Sequence, residues 1–253
     1  MGDEVQSSEL VETSHTPCPK LPADEFVKMT SNYQGPNVKI YVDSPEIGPK
    51  DAKVYELPRN LLSRSSPFFE AAFNGSFAEK DTQIMRIECS SVAFDLVVQV
   101  IYTDSFVLPA SVENSTAVKL DLMLDFLILS DRLLLGSNDT AVAKMKKLIK
   151  ESNLSLEPRH VRKAAEYLPS GHEIRELFAL ACVWPYILIH QPDKLVRYGL
   201  SRSEIIEEVE EVEGFASDLF KAHRKIYKDM KYSNGVYILT NPLTGESIPV
   251  KTG

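Results

Sequence analysis

Between Val38 and Val42 apolar and polar side chains alternate with a period of two, as they do in a strand with one buried face. Turn-forming residues fill Asp43 to Asp51, and the extended run Lys53 to Leu57 predicts the returning strand of a hairpin. After Pro58 the period changes. Leu61, Leu62, Phe68, Phe69 and Phe73 recur at helical intervals, interrupted by Ser65-Ser66-Pro67. That spacing predicts two short helices, the second capped by a serine with Pro67 in its first turn and ended by Asn74-Gly75. Ile84 to Glu88 reads as another strand, and Ser91 to Tyr102 as a helix with Phe94, Val97, Val98 and Ile101 on one face. A polar loop, Pro109 to Thr116, leads to two further helices, Val118 to Leu135 and Asn138 to Ser152, parted by Gly136.

Beyond Asn153 the pattern is almost wholly helical. Ser155 and Pro158 open a helix that Pro169 stops, and a second spans Glu173 to His190. A third begins at a capping box, Ser201 with Glu204, and carries the line Ile205, Val209, Val212, Ala216, Leu219, His223, Ile226, Met230 in steps of four and three. Such a line is either the core-facing side of a bundle helix or a coiled-coil seam between protomers. Ile206, Phe215, Phe220 and Tyr227 widen it beyond a seam, which favours packing within the chain. Its acidic residues, Glu204 to Glu213, lie toward the N-terminus and read as a solvated face. Its basic ones, Lys221 to Lys231, lie toward the C-terminus, as the helix dipole prefers. Val236 to Thr240 and Ser247 to Val250 suggest a terminal hairpin around Asn241-Pro242-Leu243-Thr244-Gly245.

Strands come early and helices later, so the fold class is α+β: a small sheet beside a helical cluster, followed by a mainly α-helical C-terminal extension. The expected divisions are a tail over 1–23, a first domain over 24–153, a helical region over 154–232 and a hairpin-bearing tail over 233–253. Residues 1–23 hold too few large apolar groups to offset chain entropy and are expected to be disordered; order should start near Asp24, with Phe26, Val27 and Met29.

Composition narrows the function. A hydrophobic share of 43% and a charged share of 25% are those of an ordinary globular protein. The net charge of −8 argues against nucleic acid as a direct partner, because phosphate binding needs concentrated positive charge. Cys18, Cys89 and Cys182 are isolated, which points to a reducing compartment, cytoplasmic or nuclear. The most apolar stretch, Leu177 to Ile189, contains Pro185 and is too short to cross a bilayer, so no membrane role is expected.

Two stretches carry a family resemblance. One is Val54-Tyr55-Glu56-Leu57-Pro58-Arg59-Asn60-Leu61-Leu62-Ser63-Arg64-Ser65-Ser66-Pro67-Phe68-Phe69. The other is Phe94-Asp95-Leu96-Val97-Val98-Gln99-Val100-Ile101-Tyr102-Thr103, followed by helices from Leu120 to Ile149. In their order and separation these resemble a BTB/POZ domain over residues 36–152, of a divergent, fungal type. Pro58 stands where the family commonly has histidine, and Asn37 where many members have an acidic residue, so Arg59 alone keeps the charge of that site. The resemblance implies a non-catalytic module for protein partners, acting by self-association as a homodimer or by recruitment as an adaptor. In members that recruit a cullin ubiquitin-ligase scaffold, a hydrophobic-x-Glu triplet precedes the third strand, and Phe77-Ala78-Glu79 occupies that place. Phe77 either projects as an anchor or folds back onto its own domain. Phe77, Glu79 and Arg59 are thus the expected partner-binding residues. The other reading is a transcription-associated scaffold that works through co-regulators without touching DNA.

The residues offer no chemistry to compete with this. His15, His160, His172, His190 and His223 lack the spacing of a metal site, and no Gly-x-Ser-x-Gly elbow, P-loop or GxGxxG occurs. No catalytic residue, metal or cofactor is expected. Tyr227 and Tyr232 among the C-terminal basic residues could stack on bases, but dipole compensation explains the same charges.

Overall fold

The computed structural model describes residues 33–44, 52–110, 112, 115–136, 138–152, 156–188, 212–233 and 235–250. The expected tail over 1–23, the cluster Phe26 to Met29, the Ser201–Glu204 capping box and the stripe from Ile205 to Val209 lie outside them.

Strand β1 (Asn37–Asp43) is central to a sheet of order β2-β1-β3. It pairs antiparallel with β2 (Lys53–Pro58), placing Val38 opposite Leu57. Its other edge runs parallel to β3 (Ile84–Glu88), with Ile40 beside Met85 and Val42 beside Ile87. Alternation then sends Val38, Ile40, Val42, Leu57, Met85 and Ile87 to one face, where all are buried. A parallel neighbour requires a crossover. Three short helices supply it: α1 (Arg59–Ser65), α2 (Pro67–Asn74) and α3 (Glu79–Thr82). Ser66 caps α2 as its sequence predicts: its Oγ accepts the Phe69 N–H at 3.2 Å and donates to the Leu133 carbonyl, tying the cap to a distant helix end.

Helices α4 (Ser91–Thr103), α5 (Thr116–Arg132) and α6 (Asp139–Glu151) complete the first half. On α4 the deepest residues are Ala93, Phe94, Leu96 and Val97; the expected Val98 and Ile101 are only partly buried. The face is rotated toward the residues that meet the sheet. Helix α5 is the hub. Leu120, Leu122, Met123, Leu124, Phe126, Leu127 and Leu129 are all buried, because α4, α6 and α7 (Pro158–Tyr167) pack around it.

The helical extension rests directly on that hub. Arg159 reaches Asp121 at 3.0 Å, His160 brings Nε2 within 3.2 Å of the same carboxylate, and Lys163 pairs with Asp125. Successive turns of α7 thus meet successive turns of α5. Helices α8 (Glu173–Leu188) and α9 (Phe215–Lys228) pack against each other, so the intrachain reading of the third helix holds for its described part. Its expected line holds at Leu219 and Ile226 but not at Ala216. Gly214 takes φ 77 and α9 starts afresh after it, burying Phe215, Asp218, Leu219, Ala222 and Ile226. Ala216, on the expected line, points outward, and Phe220 and Tyr227 are exposed rather than widening the core face. Beyond α9, β4 (Lys231–Ser233), β5 (Val236–Thr240) and β6 (Ser247–Val250) form a second antiparallel sheet, order β4-β5-β6. The anticipated hairpin is β5-β6, its turn held by Asn241 Oδ1, which accepts the Leu243 N–H at 2.9 Å. Strand β4 was not foreseen, being only three residues long.

Candidate protein-interaction site

The turn between α2 and β3 is built by its ends. Helix α2 stops at Gly75, whose N–H closes on the Ala71 carbonyl at 2.9 Å. Its φ is −80, so the glycine is not needed for a left-handed turn. It is needed for space: a Cβ there would stand 2.2 Å from the Ala71 oxygen. The chain then bends through Phe77, whose carbonyl accepts from the Lys80 N–H at 3.1 Å, and enters the single turn of α3. Gln83, at φ 54, closes α3, and its carbonyl accepts the Lys39 N–H at 2.9 Å, fastening the turn to β1.

On this frame Phe77 is 59% exposed. It does not fold back. Glu79 follows at the first position of α3, half-buried, and no hydrogen bond or ion pair engages its carboxylate among the described residues. An aromatic ring held on a short, well-bonded turn loses little freedom on docking, and the carboxylate beside it is available to a donor. Phe77 and Glu79 thus share the turn that precedes β3.

Arg59 lies elsewhere, at the start of α1. Its backbone N–H donates to the Pro36 carbonyl at 3.0 Å, and its side-chain Nε is buried without a hydrogen-bond partner. Nothing bonds it to Phe77 or Glu79. The orphaned Nε was not legible from sequence, since it depends on how the 33–36 segment covers α1.

The open face of the first sheet is the part that the sequence reading missed. Lys39 pairs with Glu56 at 3.2 Å, Arg86 with Asp43 at 2.9 Å, and the Arg86 guanidinium lies 5.2 Å from the Tyr41 ring centroid. The polar half of each alternation was the signal for it. On the adjoining edge Lys53 and the Tyr55 hydroxyl both reach Asp95 at 2.8 Å. Partial burial, then that carboxylate, pushes the Tyr55 phenol far up.

Neither described cysteine is poised as a nucleophile. Burial pushes the Cys89 thiol up to about 11 and that of Cys182 up to about 12, which leaves both protonated at neutral pH. Among the described residues no three His, Cys, Asp or Glu side chains converge as metal ligands, and no helix is long and apolar enough to cross a membrane.

A small mixed sheet crossed by short helices and packed on a helical cluster is a fold of α+β class. A family model described as BTB/POZ domain matches residues 29–132, from just before β1 to the end of α5. The chain is a BTB/POZ domain-containing protein, and that domain is a non-catalytic protein–protein interaction module. No curated protein matches the chain.

Proposed function

We propose that the protein is an adaptor whose BTB/POZ unit docks a cullin ubiquitin-ligase scaffold through Phe77 and Glu79, while the helices after residue 153 carry a second partner. The observation that carries this reading is the 59% exposure of Phe77 on a turn bonded at both ends. An aromatic ring presented on a fixed turn can fill a partner's pocket at little entropic cost. Arg59, half-buried at the start of α1, offers a separate contact through the exposed part of its side chain to a second copy of the chain or to another protein.

A pull-down with a cullin N-terminal region tests the reading. Phe77→Ala is expected to weaken capture by roughly 2 kcal/mol or more with the fold unchanged. Equal capture by the variant disposes of the cullin reading and leaves the interaction module without that partner.

A further inference from the structure

A second surface stands out at the opposite end of the chain. Lys221, Arg224, Lys225 and Lys228 are exposed on α9, and Lys231 is exposed on β4. Dipole compensation acts within the last turn of a helix, so it accounts for Lys225 and Lys228 only. Lys221 and Arg224 precede that turn and Lys231 lies beyond the helix. Lys221 approaches the Asp218 carboxylate at 3.9 Å; no ion pair engages the other four among the described residues. Asp229, exposed at the end of α9, is the nearest acidic residue in sequence.

Alongside the cations runs an aromatic ridge. Phe220 is 63% exposed, Tyr227 40% and Tyr232 66%. At 100° per residue Phe220 and Tyr227 share one strip of α9, with His223 between them and its ring tilted against that of Tyr227, centroids 4.4 Å apart. Tyr232 packs on Tyr237 at 4.9 Å across the β4-β5 pair. Among the described residues β4 pairs with β5 on one side only, leaving its other backbone edge without a strand partner there.

We propose that α9 and β4 form a docking surface for an extended acidic peptide with apolar side chains, which adds to the β4 edge. Three features argue for that occupant. The cations complement carboxylates, the aromatic strip covers alternate apolar side chains, and the free edge of β4 takes a peptide backbone in register. Nucleic acid would use the first two but not the strand edge. The chain's net charge of −8 also repels a polyphosphate more than a short peptide. This surface is independent of Phe77.

The test is fluorescence anisotropy on the full chain with a labelled peptide of alternating Glu and Val. A matching peptide of alternating Lys and Val, and oligothymidylate, serve as competing probes. The Glu–Val peptide is expected to bind and the Lys–Val peptide not to. The triple variant Lys221→Gln, Arg224→Gln, Lys231→Gln spares the last turn of α9 and should lose roughly tenfold in affinity without a change in melting temperature. Tyr232→Ala, which keeps every cation, should also weaken binding. Absence of binding by the wild type overturns the proposal, as does equal affinity in the triple variant. Tighter binding of oligothymidylate overturns the choice of a peptide. Phe77→Ala should bind the peptide as the wild type does, so failure here is separable from failure of the cullin reading.

Discussion

Arg175 on α8 donates from Nε to Oδ2 of Asp218 on α9 at 2.7 Å, and its Nη2 forms an ion pair with the same oxygen at 2.6 Å, with both side chains almost sealed from water. The rest of the guanidinium is spent on helix ends: Nη1 on the Leu168 carbonyl at 3.0 Å and Nη2 on that of Gly214 at 3.1 Å. One side chain therefore joins the end of α7, the body of α8 and the turn that starts α9. Removing either partner leaves a buried charge uncompensated. Asp218→Ala is expected to destabilise the fold by about 3–5 kcal/mol, and Arg175→Met with Asp218→Leu by much less. Urea denaturation of the single and double variants checks both.

Ser66 is wholly buried and makes two bonds that alanine cannot. Its loss strips the α2 cap and strands the Leu133 carbonyl. Ser66→Ala should cost about 1–3 kcal/mol, read as a lowered urea midpoint at constant slope.

Gly75→Ala tests the turn rather than the core. The added methyl must displace the last carbonyls of α2, shifting the segment that carries Phe77. A loss of about 2 kcal/mol is expected, larger than the usual penalty of a surface substitution. Thermal melting of the variant measures it.

His160 governs the acid limb. It is fully buried, and its Nδ1 accepts the Glu157 N–H at 3.0 Å, so the neutral ring carries its proton on Nε2, which lies 3.2 Å from Asp121 without a hydrogen bond. Burial lowers its affinity for a second proton, outweighing the opposite pull of Asp121 and Glu157. An unfolded chain takes up that proton near the ordinary value of about 6.5 while the folded chain resists. The unfolded state then binds more protons, so stability is kept above that pH and lost as pH falls below it, by up to about 1.4 kcal/mol per unit. Melting curves between neutral pH and pH 5 should show the fall, and His160→Asn, whose amide oxygen can accept the Glu157 N–H without titrating, should flatten it.

Period and punctuation made most of the first half legible. The alternation from Val38 to Val42 gave the inner sheet face, and Ser66-Pro67 marked the helix start found there. Phe77 and Glu79 were legible as a pair; which way Phe77 pointed was not, because that depends on the hydrogen bonds of Lys80 and Gln83 around it. What depends on distant neighbours stayed hidden. The Asp121 and Asp125 carboxylates look like solvent-facing residues on a helix, yet they meet the cations of α7. Asp218 reads as a surface residue and is buried because Arg175 lies opposite. The stripe foretold Leu219 and Ile226 but not Ala216, which is exposed where α9 begins after the left-handed Gly214.

The central claim is that this BTB/POZ unit works by offering Phe77, backed by Glu79, to a scaffold protein. Calorimetric titration of the full chain with a purified cullin N-terminal region examines it directly. Saturable binding is expected, weakened about thirtyfold or more by Phe77→Ala while the melting temperature stays unchanged. No heat of binding from the wild type, or the same affinity with alanine at position 77, would contradict it.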